Sequence, residues 1–317
     1  MRTLIVKESQ ANKRVGRVIR DAFPGMPASA MYKAFRKRDI KVNGVRVKED
    51  YLVSPGDRLE IFITDEILDG LPQKNGAQPG RGFSVVYEDA NILIVNKEQG
   101  IPVHPDREQS TGTLIDRVKD YLGEKGEYDP RDPSCFPPSL CHRIDRNTGG
   151  LVILAKNAES LKILLDKIKS REIKKYYQCL VKGKMEKEHA ELKAYLCKDE
   201  NKSRAFIYDY PGKGSIPIIT RYRLLAYKNG ISRLEVELVT GRTHQIRAHL
   251  AHIGHPIVGD GKYGSNAYNR SLGAKYQALW AYKLVFGFKN AGRLDYLRGK
   301  KFEVTPEFKV WLNKREE

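Results

Sequence analysis

The chain has 317 residues and a formal charge of +18, with 57 Lys+Arg against 39 Asp+Glu. Its 40% hydrophobic content is enough for one large or two ordinary domains, and excludes a wholly disordered basic chain. No apolar run approaches membrane-spanning length, and MRTLIVKESQ at the start is neither a signal nor a transit peptide. Four cysteines without a CxxC pairing suit reduced thiols, so the expected location is cytoplasmic. The charge excess sits on a folded surface and predicts a polyanionic partner, nucleic acid before membrane.

Val15, Val18, Ile19 and Ala22 recur at helical spacing within residues 12–23, with Lys13, Arg14, Arg17 and Arg20 between them. A second helix over 28–38 sets Ala28, Met31 and Phe35 on an apolar seam. Lys33, Arg36 and Lys37 fall on another face. Asn43-Gly44 between Ile40-Lys41-Val42 and Val45-Arg46-Val47 predicts a tight hairpin, because both turn positions need a positive φ. A Pro55-Gly56-Asp57 turn then feeds a strand carrying Leu59, Ile61 and Ile63. Residues 1–63 hold 14 Lys+Arg and 7 Asp+Glu, so this unit is strongly basic by itself.

Two helices, an Asn-Gly hairpin and a strand after Pro-Gly-Asp resemble the RNA-binding domain named after the fourth small-subunit ribosomal protein. The match runs from Lys13 to Ile63, and KAFRKRDIKVNG is its most specific part. It implies that Lys33, Arg36, Lys37, Arg38 and Lys41 contact RNA phosphates. Residues 64–82 lose periodicity and gain Gly and Pro. A flexible linker is therefore placed at 67–82, between domains 1–66 and 83–317.

Beyond it, SVVYEDANILIVNKEQG predicts two strands about an Asp89–Asn91 turn, and Leu114, Val118 and Tyr121 or Leu122 mark a helix. Residues 123–139 form a proline- and charge-dense loop leading into CHRIDRNTGGLVILAKN at 141–157. There Leu151 to Ala155 reads as a buried strand. Asp145 stands as a lone carboxylate between Arg143 and Arg146, before Gly149 and Gly150. Such a residue can be a held nucleophile or half of a structural ion pair, and the stretch alone does not choose. Asn157 is suited to cap a helix carrying Leu161, Leu164, Leu165 and Ile168. KYYQCLVKG alternates as a strand, as do Leu234, Val236 and Leu238. In TGRTHQIRAHLAHIGHP, Thr243 is the expected cap of a helix with Ile246, Leu250 and Ile253, stopped by Gly254 and Pro256. Hairpins mixed with helical connections, without a regular βαβ rhythm, predict an α+β fold with a mixed, largely antiparallel sheet.

NKEQGIPVHP, HRIDRNTGG, KYYQCLVKG and TGRTHQIRAH…GHPIVGDGKYG, in this order, resemble the RluA family of pseudouridine synthases. The appended basic domain narrows the likeness to its RluC/RluD-like members, which modify large-subunit ribosomal RNA. By position the resemblance implies a catalytic Asp145, an active-site Tyr177, and Arg247 as its pairing base. It also implies that Arg143 enters the gap left by a flipped nucleotide. Three departures concern loop shape: Gly149 where Ser is usual, Glu98 where Pro is usual, and Trp280 where His is common. The chemistry accounts for the residue types. Uridine isomerisation breaks a base–sugar bond and rejoins uracil through a ring carbon. An ionised carboxylate can attack the sugar or the base, or take a proton from the sugar. An arginine can hold it bidentately, which a lysine cannot, and a tyrosine ring can stack on an extruded base.

His244, His249, His252 and His255 cluster in sequence, but Arg242 and Arg247 stand among them. No metal and no cofactor is expected. The expected protein is an RNA-modifying isomerase acting on structured RNA, ribosomal or transfer, with no membrane and no obligate protein partner. The alternatives are a non-catalytic ribosome-binding or assembly protein and a nucleoside glycosylase.

Overall fold

The computed structural model describes residues 2–23, 26, 28–63, 80–105, 109–199 and 204–308, with the side chains of residues 28–30 and Lys33 left outside the description. The expected linker therefore lies mostly outside the described residues. Two compact units result, one built on the N-terminal sheet with residues 88–90 and 117–138, the other on a large sheet.

The N-terminal unit comprises β1 (Arg2–Ile5), α1 (Val15–Ala22), α2 (Ala28–Lys37), β2 (Ile40–Val42), β3 (Val45–Arg46) and β4 (Arg58–Ile61). Its strands pair antiparallel in the order β1-β4-β2-β3. Val15, Val18, Ile19, Met31, Ile40, Val42, Leu59 and Ile61 form its core, so the described side chains of the seams read from periodicity are buried or half-buried, apart from an exposed Ala22. The hairpin turns at Asn43 (φ 52°) and Gly44 (φ 78°), as Asn-Gly requires. The Asn43 amide also donates to Asp57 at 2.8 Å and accepts from the Arg58 N–H at 2.8 Å. Two turns distant in sequence are thereby tied together.

The chain continues with β5 (Phe83–Glu88), β6 (Ile92–Lys97), α3 (Leu114–Glu124), β7 (Ser139–Leu140), β8 (Gly149–Ala155), α4 (Ala158–Lys169), β9 (Ile173–Lys182), β10 (His189–Asp199), β11 (Arg204–Tyr208), β12 (Ile216–Lys228), β13 (Ile231–Leu238), α5 (Gln245–His252), α6 (Asn266–Ser271), β14 (Leu279–Phe286) and β15 (Lys301–Glu303). Its eleven-stranded sheet runs β11-β10-β12-β13-β9-β14-β8-β6-β5, with β15 beside β14 and β7 beside β8. The fold is α+β with a mixed, mostly antiparallel sheet. β14 runs parallel to β8 and antiparallel to β9. Every residue of β8 is buried, which explains its unbroken apolar run. Asn157 caps α4 by accepting the Ser160 N–H at 2.9 Å. The cap of α5 is His244 rather than the expected Thr243, and no side chain closes it. β10 to β12, for which the sequence offered no periodic signal, add a broad antiparallel wing. Among the described residues no helix is long and apolar enough to cross a membrane.

The two glycines before the apolar run have a physical reason. In the parallel pairing Gly149 opposes Trp280 and Gly150 opposes Ala281. A Cβ on Gly150 (φ 114°) would fall 2.2 Å from the Ala281 carbonyl oxygen, and one on Gly149 would fall 2.5 Å from the Trp280 indole. The indole thus fills the space a residue-149 side chain would take, so two of the departures from the family pattern are one packing event. Gly149→Ala should cost about 1–3 kcal/mol of stability through overpacking. Combining it with Trp280→Leu should remove most of that increment in a double-mutant cycle, measured by denaturant unfolding. Additive losses would mean the two positions do not compete for space.

Candidate active site

A cavity of about 500 Å³ opens where the loop before β8, strand β9 and the start of α5 meet, and its lining includes Asp145, Tyr177, Arg247 and Arg143. Asp145 and Tyr177 converge because β9 lies beside β14, which lies beside β8, and Arg247 joins them from α5. The four residues expected on one site are therefore brought together.

Arg247 is the hub. Its Nη1 donates to Asp145 Oδ2 at 2.7 Å, while Nε and Nη2 donate to Asp260 at 2.7 and 3.0 Å. The expected bidentate grip on Asp145 is thus corrected: the fork faces Asp260, and Asp145 receives a single bond. Asp260 is fully buried and accepts the backbone N–H of Lys262 at 2.9 Å and of Tyr263 at 3.1 Å. Burial would raise its pKa, but the bonds from Arg247 and these amides outweigh burial and lower it. The paired carboxylates raise the pKa of Arg247 against its burial. The Tyr263 ring lies beneath the guanidinium, 5.3 Å from it. Asp145 keeps a quarter of its side chain exposed, unlike Asp260. It is the carboxylate of this group that a ligand can reach.

His244 sits with φ 58°, placing Nδ1 3.0 Å from the Tyr263 hydroxyl and Nε2 3.9 Å from Asp145. Lys97, with no exposed surface, donates to the carbonyls of Glu98, Ile101 and Arg146 at 2.8–2.9 Å. Burial pushes its pKa down to about 7 against the opposing pull of Asp145 and Glu98. The loop is held further by Gln99, which donates to the Asn147 carbonyl at 2.9 Å, and by Gln277, which donates to Thr148 Oγ1 at 2.7 Å. Asp260, His244 and Lys97 are the residues that sequence reading missed. Only Lys97, a charge closing the apolar run Ile92–Val95, left a visible signal.

The histidine cluster does not converge. His249 meets Thr220 at 3.0 Å, His252 meets Asp209 at 2.8 Å, and His255 meets the Lys182 carbonyl at 3.0 Å. The other expected RNA contacts lie on the N-terminal unit. Arg36, Lys37 and Arg38 are exposed at the end of α2, and Lys41 lies over the Phe62 ring at 5.0 Å. The Lys33 side chain lies outside the described residues.

The mixed sheet and its cavity accord with the resemblance to pseudouridine synthases, and comparison with known proteins shows the family. The model of the RNA pseudouridylate synthase family matches residues 91–252, and the chain belongs to that family. An uncharacterized RNA pseudouridine synthase of Mycoplasma capricolum is 31% identical over 99% of this chain and all of its own length. The ribosomal large subunit pseudouridine synthase C of Vibrio cholerae is 31% identical, covering 89% of this chain and 87% of its own. Human RNA pseudouridylate synthase domain containing 1 shares the fold, with a TM-score of 0.54 and 21% identity over 74% of this chain and 95% of its own. The protein is an RNA pseudouridine synthase, an isomerase of RluA type.

Burial pushes the pKa of both His244 and His249 down from 6.5 to about 4. For His244, Asp145 pulls upward and Arg247 downward. The unfolded chain takes these protons near pH 6.5 and the folded one only near pH 4, so stability is lost as pH falls through that interval. Denaturant unfolding between pH 7.5 and 5 should show this fall, and His249→Gln should flatten it. An unchanged slope in His249→Gln would mean that this ring takes up its proton without unfolding.

Proposed function

We propose that the cavity holds a uridine flipped out of large-subunit ribosomal RNA and that Asp145 drives its isomerisation. The observation that carries this reading is the Arg247–Asp145 bond of 2.7 Å, with Arg247 itself fixed from behind by Asp260. Attack on the sugar, attack on the base and removal of a sugar proton all begin from a steadied carboxylate, and all need water kept away from the freed uracil. Tyr177 is buried, and burial together with the charge of Asp145 pushes its phenol far above the usual value. At neutral pH it stays protonated, so it offers a ring for stacking and a hydroxyl that donates. Arg143 is read as the residue that fills the gap left by the flipped nucleotide, a role its exposure at the cavity supports.

Two further observations support the ribosomal target. The Vibrio cholerae relative that covers most of the chain is named for the large ribosomal subunit. The N-terminal unit also presents Arg36, Lys37 and Arg38 to solvent, with Lys41 nearby, a set suited to RNA phosphates. Lys33 joins them on the sequence pattern alone. The domain division 1–66, 67–82 and 83–317 belongs to the same reading, with RNA held by the first part and modified by the last.

Asp145→Asn should bind RNA within a few-fold of wild type and lose turnover by about a thousandfold. Arg247→Lys and Asp260→Asn should fall between, since each keeps part of the arrangement. Tyr177→Phe should retain RNA affinity, while Tyr177→Ala should weaken it by roughly 1–3 kcal/mol. Filter binding reads the affinities, and single-turnover tritium release from RNA labelled at carbon 5 of uracil reads the turnovers. Near-normal release by Asp145→Asn would falsify the catalytic assignment.

Pseudouridine mapping of all stable RNAs with and without the gene should show the lost sites in large-subunit ribosomal RNA. Losses confined to transfer RNA would refute the target. Arg36→Glu with Lys37→Glu should raise KM more than it lowers kcat, and reduce the log–log salt slope by roughly 0.7–0.9 per lost contact.

A further inference from the structure

Lys175 is unexplained by the arrangement above. It lines the same cavity as Asp145 and Tyr177, and its pKa is lowered by burial with no carboxylate to oppose the loss of solvent. Among the described residues lining the cavity, Asp145 is the one carboxylate, against Arg143, Arg146, Lys175, Arg242 and Arg247. That carboxylate is already bonded to Arg247. An ammonium partly withdrawn from water costs stability unless an anion arrives.

Position says what the anion is. Lys175 and Tyr177 stand two residues apart on β9 and so face the same side of the strand, about 7 Å apart along it. Gly241, on the loop before α5, flanks the lysine: a Cβ there would lie 3.7 Å from the ammonium nitrogen. With glycine at 241 that side of the nitrogen stays uncovered. The Arg242 side chain follows, exposed at the same cavity.

We propose that Lys175 is a phosphate-binding residue whose ammonium receives a phosphodiester adjoining the flipped uridine while Tyr177 faces the base. The inference rests on the reading of this cavity as the seat of that uridine. A nucleotide reaches from base to phosphodiester over a distance like that between the two side chains. The lysine then contributes affinity and register rather than chemistry, and the free protein carries it at a loss of stability.

The probe is a synthetic RNA stem-loop containing a uridine mapped as above, with the phosphodiester 5′ or 3′ of that uridine replaced in turn by an uncharged methylphosphonate. Affinity and single-turnover tritium release are measured with wild type, Lys175→Met and Lys175→Arg. One replacement should weaken wild-type binding by about ten- to a hundredfold, the size of a charge-assisted hydrogen bond. Lys175→Met should lose a similar factor on unmodified RNA and nothing further on that methylphosphonate RNA, while Lys175→Arg keeps most of the affinity. Lys175→Met should unfold at the same or a higher denaturant concentration than wild type. Losses that multiply at both positions overturn the proposal, as does a markedly less stable Lys175→Met. Asp145→Asn, run alongside, reads the parent assignment separately: its failure to lose turnover leaves the phosphate cycle still decisive for Lys175.

Discussion

One guanidinium between two carboxylates is the constraint on which the site depends. Arg247 spends its planar fork on Asp260, which is buried and pinned by backbone amides, and its remaining nitrogen on Asp145. A buried ion pair is weak evidence for stability, since the desolvation of both charges offsets their attraction. What the arrangement does supply is direction. Fixed on one side, the arginine presents a single N–H at a set position, and the carboxylate that meets it keeps its second oxygen for a ligand. A symmetric pair would have used both oxygens of Asp145 and left nothing facing the cavity.

The loop carrying Asp145 is fastened from several parts of the chain. Its Arg146 carbonyl accepts from the Lys97 ammonium and from the Gly100 N–H, the latter at 3.0 Å. Its Asn147 carbonyl accepts from Gln99, its Thr148 hydroxyl meets Gln277, and Gly149 and Gly150 lie directly on β14. Segments near positions 97, 145 and 277 thus become one frame. Preorganisation of this kind is what electrostatic catalysis needs, because dipoles that are already oriented cost nothing to turn during reaction.

Legibility in the sequence followed the type of signal. The Asn-Gly hairpin, the capped helix after Asn157 and the apolar strand at 151–155 each obey a local rule, so local reading found them. The meeting of Asp145 with Arg247 spans a hundred residues, and only the resemblance to a family pointed to it. Asp260 stayed hidden because an aspartate between glycines is also what a turn wants, and nothing local tells a buried turn carboxylate from a solvated one. β10 and β12 escaped for another reason. Much of each is exposed, with charged residues on the open face, and their pairing is set by long-range neighbours rather than by a strong pattern of their own.

The contact between Gly149 and Trp280 gives evolutionary change at this spot a direction. Starting from a serine at 149 with a smaller residue at 280, loss of the serine side chain leaves only a small void, which the sheet can tolerate. Arrival of the indole first would press a six-membered ring against a Cβ 2.5 Å away, an overpacking that costs about 1–3 kcal/mol. Glycine first and tryptophan second is therefore the order whose intermediate loses less stability. Return of a side chain at 149 is costly unless position 280 shrinks beforehand, so a substitution behind the sheet acts as a ratchet on the loop in front of it.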